Sequence, residues 1–162
     1  MKNTLEPLGK GAEGIAKHAA SFARALFEKD GSFSPMFLAA NKRNEVHAMV
    51  VPWENEEQKL VMLDVLRDFF KDQGITRYAL LSEVWMVTVH ESELRHYDDR
   101  VRPSQRENRQ EAVHILGVDN KGNTVSYTYP ILRDEKGATL GEELCWKENN
   151  IAGRMAGLLK ED

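Results

Sequence analysis

The chain has 162 residues, 41% hydrophobic and 30% charged, which suits one soluble globular domain able to bury ~70% of its unfolded surface. Its 22 basic and 26 acidic residues leave a net charge of −4, which argues against broad binding to nucleic acid or anionic membrane. Cys145 is the only cysteine, so an internal disulfide is excluded. MKNTLEPLGKG holds no signal-type apolar run, no window approaches a membrane span, and the chain reads as cytoplasmic.

The first motif is GKGAEG at Gly9–Gly14, formally a G-x-G-x-x-G. A phosphate cradle needs a buried strand before it, and MKNTLEPL cannot supply one. Residues 1–12 therefore read as a flexible lead. A helix is expected from about Glu13 to Lys29, with Ile15, Ala19, Phe22 and Leu26 as its apolar stripe and Asp30-Gly31 as its stop. Phe33–Ala40 and Val46–Val51 then flank the charged turn NKRNE as a β-hairpin. Asn55 is a good N-cap, with Gln58 three residues on. The helix it opens buries Leu60, Leu63, Leu66 and Phe70, flanked by Met62, Val65 and Phe69, and Gly74 ends it.

Tyr78–Val89 (YALLSEVWMVTV) reads as a central strand buried on both faces. Alternation places Glu83 between Leu81 and Trp85 on an apolar face. A carboxylate there needs a partner, because burying it unpaired costs several kcal/mol or keeps it protonated. The expectation is a buried pair with an arginine from the Arg102–Arg109 segment. His90–Gln110 is a long polar connection, expected to be the most mobile segment between the termini. Ala112–Val118 and Thr124–Ile131 form a second hairpin, the latter strand with one buried and one wet face. Arg133–Gly141 is turn-rich, Leu144-Cys145-Trp146 adds a short edge strand, and Ile151–Lys160 is a modest helix containing Gly153 and Gly157. The whole predicts one α+β domain over residues 1–162, ordered α-β-β-α-β-β-β-α. Its sheet is largely antiparallel (two hairpins plus a central strand), with the helices packed on one face.

Metal chemistry finds little support. His90-Glu91 and His96 are too far apart for H-E-x-x-H, and His96 with Asp98 and Asp99 reads as solvated loop charge, so no metal and no cofactor are expected. No G-x-S-x-G exists, and nothing places a histidine beside Cys145. What remains is RVRPSQRENRQE at Arg100–Glu111, where Arg100, Arg102, Arg106 and Arg109 stand against one acid, Glu107, before Glu111. The planar guanidinium fork suits carboxylates and phosphates. Glu83, Trp85, Arg102, Ser104, Arg106, Arg109 and Glu111 are the candidate binding residues, with no catalytic residue assigned. The bland reading, which the sequence favours, is that these arginines satisfy Glu83, Glu111 and backbone carbonyls as a structural ion-pair network and pin the loop down.

Ser82-Glu83-x-Trp85, then Arg102-Pro103-Ser104, then Arg109-x-Glu111 opening an apolar strand, resembles a group of small bacterial and phage-associated proteins. The group's pattern is E-x-W in one strand and P-S-x-x-P-D-R-x-E at the next, and this chain carries Glu107-Asn108 in place of Pro-Asp. The resemblance covers about Tyr78–Ile131 and implies no activity. It does imply that Glu83, Trp85, Arg102, Pro103, Ser104, Arg109 and Glu111 act as one unit. Three functions are in play. The first is a small binding or regulatory protein without catalysis, whose partner is a protein or a small anionic ligand and which is compatible with homo-oligomerisation. The second is an enzyme using Glu83 as acid or base on an anionic substrate held by Arg102 and Arg109. The third is a nucleic-acid binder using Arg100–Arg109, which the acidic balance disfavours.

Overall fold

A computed structural model describes residues 8–32, 34–51, 53–87, 109–148 and 158–159, with residues 92, 96, 98, 100, 101, 105 and 107 between them. In chain order the elements are α1 (Gly11–Asp30), β1 (Met36–Asn41), β2 (Val46–Val50), α2 (Glu56–Asp72), β3 (Ile75–Met86), β4 (Gln110–Asp119), β5 (Thr124–Asp134), β6 (Gly137–Leu140) and β7 (Leu144–Glu148). The strands form one antiparallel sheet in the order β2-β1-β3-β4-β5-β6, with β7 also paired to β5. β6 lies against Ile131–Asp134 and β7 against Thr124–Thr128, so together they make one interrupted strand along the outer side of β5. The antiparallel α+β domain is as the sequence predicts. The expected helix over Ile151–Lys160 falls outside the described residues, apart from Leu158 and Leu159 in a turn.

The helices do not share a face. α1 packs on Met36, Leu38, Ala40, Ala79, Leu81, Val113, Ile115, Val125, Tyr127, Tyr129 and Ile131. α2 packs on the alternate residues Phe37, Ala39, Tyr78, Leu80, Leu116 and Val118. Because successive strand residues point to opposite sides, these two sets lie on opposite faces. The one-face expectation is thus corrected, and the nearly continuous apolar runs of β1 and β3 are explained, since each covers a helix on either side. The same arrangement corrects the wet face of β5, where Thr124, Ser126 and Thr128 are buried like their neighbours.

α1 is seated on its small residues. Ala12, Ile15, Ala16, Ala19, Ala23 and Phe27 are buried, while Phe22 and Leu26 sit on the flank. Small side chains let the axis come close to β4, and Gly117 completes the fit. A Cβ at Gly117 would stand 2.6 Å from the Ala12 carbonyl oxygen and 2.8 Å from the Ala16 Cβ. Gly117→Ala is expected to lose about 1–3 kcal/mol by overpacking, measured by denaturant unfolding, since a helix backbone carbonyl cannot rotate aside. α2 is capped as the sequence predicts: the Asn55 side chain accepts from the Gln58 amide at 2.8 Å, and Gln58 Oε1 accepts from the Glu54 amide at 2.8 Å. Leu63, Leu66 and Phe70 are buried, but Leu60 and Val65, expected in the same stripe, are exposed.

Candidate functional site

The register explains where the expected buried glutamate lies. β1 accompanies β3 only as far as the pair Met36 and Leu81. Beyond it, Ser82–Met86 continues with β4 as its described strand neighbour, and burial gives way to an alternation of half-buried and exposed residues. Glu83 is therefore exposed, which overturns its expected burial; the apolar run of the sequence outlasts the cover that α1 and β1 provide. Replacing it, as in Glu83→Ala, is expected to change stability by about 1 kcal/mol or less, as for a surface charge. A measured loss above 3 kcal/mol in denaturant would restore the buried reading.

On the α1 face of this extension, Trp85 stands opposite Glu111, and Glu83 opposite Val113. The Arg109 guanidinium lies over the Trp85 ring, 4.9 Å from its centre. Glu111 accepts two hydrogen bonds from Arg133, from Nε at 2.7 Å and from an Nη at 3.2 Å. This forked bond holds the Glu111 carboxyl below its ordinary range, with nearby charge on Arg133 reinforcing it. The Arg133 guanidinium is correspondingly raised, first by Glu111 and in smaller part by Glu83. From α1, the Arg24 guanidinium sits 5.6 Å from the Tyr129 ring centre, and the Tyr129 hydroxyl donates to Glu143 at 2.9 Å. Trp85 remains 44% exposed at the middle of this surface.

Of the sequence-predicted residues, the structure brings together Glu83, Trp85, Arg109 and Glu111. Arg102, Ser104 and Arg106, with Pro103, lie outside the described residues. Arg100 pairs locally with Asp98, Nε to carboxylate at 3.0 Å. The residue missed was Arg133. It continues the alternation Val125, Tyr127, Tyr129, Ile131 by one step, beyond the strand end expected at Ile131. Glu111 and Arg133 can recognise charge and planar groups; a carboxyl shifted downward is not tuned for proton donation near neutrality. Among the described residues no group of three His, Cys, Asp or Glu side chains is arranged to hold a metal ion. None of the described helices is long and apolar enough to cross a membrane.

The glycine motif has a different use at the opposite end of the same face. Arg77, buried, donates to the carbonyls of Gly9 and Gly11 and, at 3.0 Å, to Asn44 Oδ1. Asp119, its cross-strand neighbour, accepts from the Lys121 amide at 2.9 Å, the Asn123 amide at 3.0 Å, the Asn123 side chain at 3.0 Å, and the Ala12 amide. An internal carboxylate thus occupies the helix N-terminus where a phosphate would sit in a nucleotide cradle. Gly14 serves packing, because a Cβ there would fall 2.2 Å from the Gly9 carbonyl carbon. Residues 8–12, expected in a flexible lead, are instead held by Arg77 and Asp119.

On the α2 face, the His114 Nε2 and the Ser126 Oγ are hydrogen-bonded at 2.6 Å. Burial holds the His114 imidazole below its ordinary pKa. The folded chain then binds protons less readily than the unfolded one, so stability is complete above the unfolded value of about 6.5 and falls as pH drops below it. Unfolding by urea at about pH 7 and about 5.5 is expected to show this loss in the wild type and a smaller one in His114→Gln. Equal losses in both would assign the trend to other groups.

A family model for bacteriophage lambda protein ea47 matches residues 5–157. The chain belongs to that family. The match spans every described helix and strand, from α1 to β7, so the Trp85 surface of this ea47-family chain lies within the shared domain. Neither a curated protein nor a solved structure matches the chain.

Proposed function

We propose that this ea47-family chain is a binding protein without catalysis of its own, and that Trp85, Arg109, Glu83, Glu111 and Arg133 form its recognition surface for a protein partner. The observation that carries the reading is the half-exposed Trp85 ring, held by Arg109 at 4.9 Å and bordered by a forked Glu111–Arg133 pair. Tryptophan and arginine are the residue types that dominate binding energy at protein interfaces, and a side chain already fixed by stacking loses little freedom on association. Two arginines and two glutamates interleaved on one face favour a partner of mixed charge over a polyanion.

The test is affinity capture from a bacterial lysate with wild type and Trp85→Ala, followed by reconstitution with the purified partner. Trp85→Ala and Arg109→Ala are each expected to weaken that reconstituted complex roughly tenfold or more, as for a hot-spot truncation. Unchanged affinity in both variants would move the surface elsewhere. A substrate turned over by the wild type and not by Glu83→Gln would replace the reading with the enzyme one.

A further inference from the structure

We propose that the chain forms a two-fold dimer by pairing β2 with β2 of a second copy, extending the sheet across the two molecules. β2 is the outer strand on this side of the sheet. The bonds from the Asn41 amide to the Glu45 carbonyl and from the Val51 amide to the Pro35 carbonyl fix the phase of its pairing with β1. In an antiparallel ladder the bonded residues alternate, so Glu45, His47, Met49 and Val51 face β1. The amides and carbonyls of Val46, Ala48 and Val50 then point outward.

This outward set is its own complement. With the two-fold axis at Ala48, Ala48 pairs with Ala48, and Val46 of each copy pairs with Val50 of the other. All outward groups are matched in one register, as an isologous interface requires. The side chains agree. β2 carries no charge, Pro or bulge, the devices that usually keep an edge strand solitary. Val50 is 58% exposed. Above the edge, the His47 ring packs on Phe69 of α2 at 5.8 Å. The same flank continues at helical spacing to Val65 and Val61, exposed 53% and 58%. The axis lays this flank beside its copy, so the apolar strip left open by one molecule covers that of the other.

Charge selects a second copy as the occupant. The antiparallel arrangement brings the turn Lys42–Glu45 of each molecule, left with one net positive charge by the Arg43–Glu45 pair at 4.0 Å, toward Glu54, Glu56 and Glu57 at the start of α2 in the other. Opposite charges therefore meet at both ends of an uncharged middle.

Light scattering of the full chain at micromolar concentrations is expected to give a dimer mass, and Val50→Lys to weaken it roughly tenfold or more by burying a charge at the seam. Bonded pairs have Cα atoms about 5.5 Å apart, inside the range of about 4.4–6.8 Å that a disulfide spans. Ala48→Cys is therefore expected to give a covalent dimer on oxidation, which the wild type, whose one thiol is Cys145, does not. Circular dichroism checks that Val50→Lys folds; otherwise Val61→Lys, on the exposed helix flank, takes its place. A monomer throughout, a dimer indifferent to both lysine variants, or no Ala48→Cys link would each overturn the proposal.

Discussion

Asp119→Ala is expected to lose about 3–5 kcal/mol of stability, the cost of removing one member of a buried ionic network. For a chain of this length that corresponds to roughly 10 °C in melting temperature. The substitution leaves the amides of Ala12, Lys121 and Asn123 without their acceptor and takes from Arg77 the charge of its cross-strand neighbour. Burial by itself would raise the Asp119 pKa; the donors, led by the Asn123 side chain and amide, outweigh it and hold the carboxyl below its ordinary range. The sign follows. The stabilisation is present above the unfolded value of about 3.9 and fades as pH falls through the lower folded one. Urea unfolding of wild type and variant from neutral pH down to acid checks both claims. The gap between them should narrow in acid, and a neutral-pH loss below 1 kcal/mol would mean that the carboxylate does not hold α1.

Phe37→Ala tests the second face. Phe37 is fully buried, with ring centres 6.2 Å from Phe70 and 6.0 Å from Tyr78, and Phe70 lies 5.1 Å from Tyr78. These three rings join α2 to the sheet. Truncation removes the aromatic area and leaves a cavity, a loss of about 3–5 kcal/mol in chemical denaturation. Phe37→Leu, which keeps most of the volume, is expected to cost about 1.5 kcal/mol or less. Similar losses for the two would show that the ring is not what seats α2.

Much of the candidate surface was legible before the fold. Alternation along the central strand put Glu83 and Trp85 on one side, and the pairing of β3 with β4 sets Glu111 opposite Trp85. What alternation cannot report is how far a covering helix extends. Glu83 looked buried because Leu81 and Trp85 flank it, yet cover ends at Leu81, where β1 stops. Arg133 was missed for a related reason: a strand's last polar residues carry no apolar signal, so the pairing of β5 with β6 was read as turn.

By itself the sequence determined the elements and their order from α1 to β5, because helix spacing, the Asn55 cap and two-residue alternation are local signals that need no partner. It also pointed to cover on both sides of the central strand, which holds as far as Leu81, since apolar residues at every position leave no face for water. Only the tertiary structure decided which helix takes which face, that α1 sits on its alanines against Gly117, and that Asp119 caps a helix more than a hundred residues earlier in the chain. Those outcomes rest on contacts between segments remote in sequence, where close approach and buried charge, neither of which has a period, set the energy.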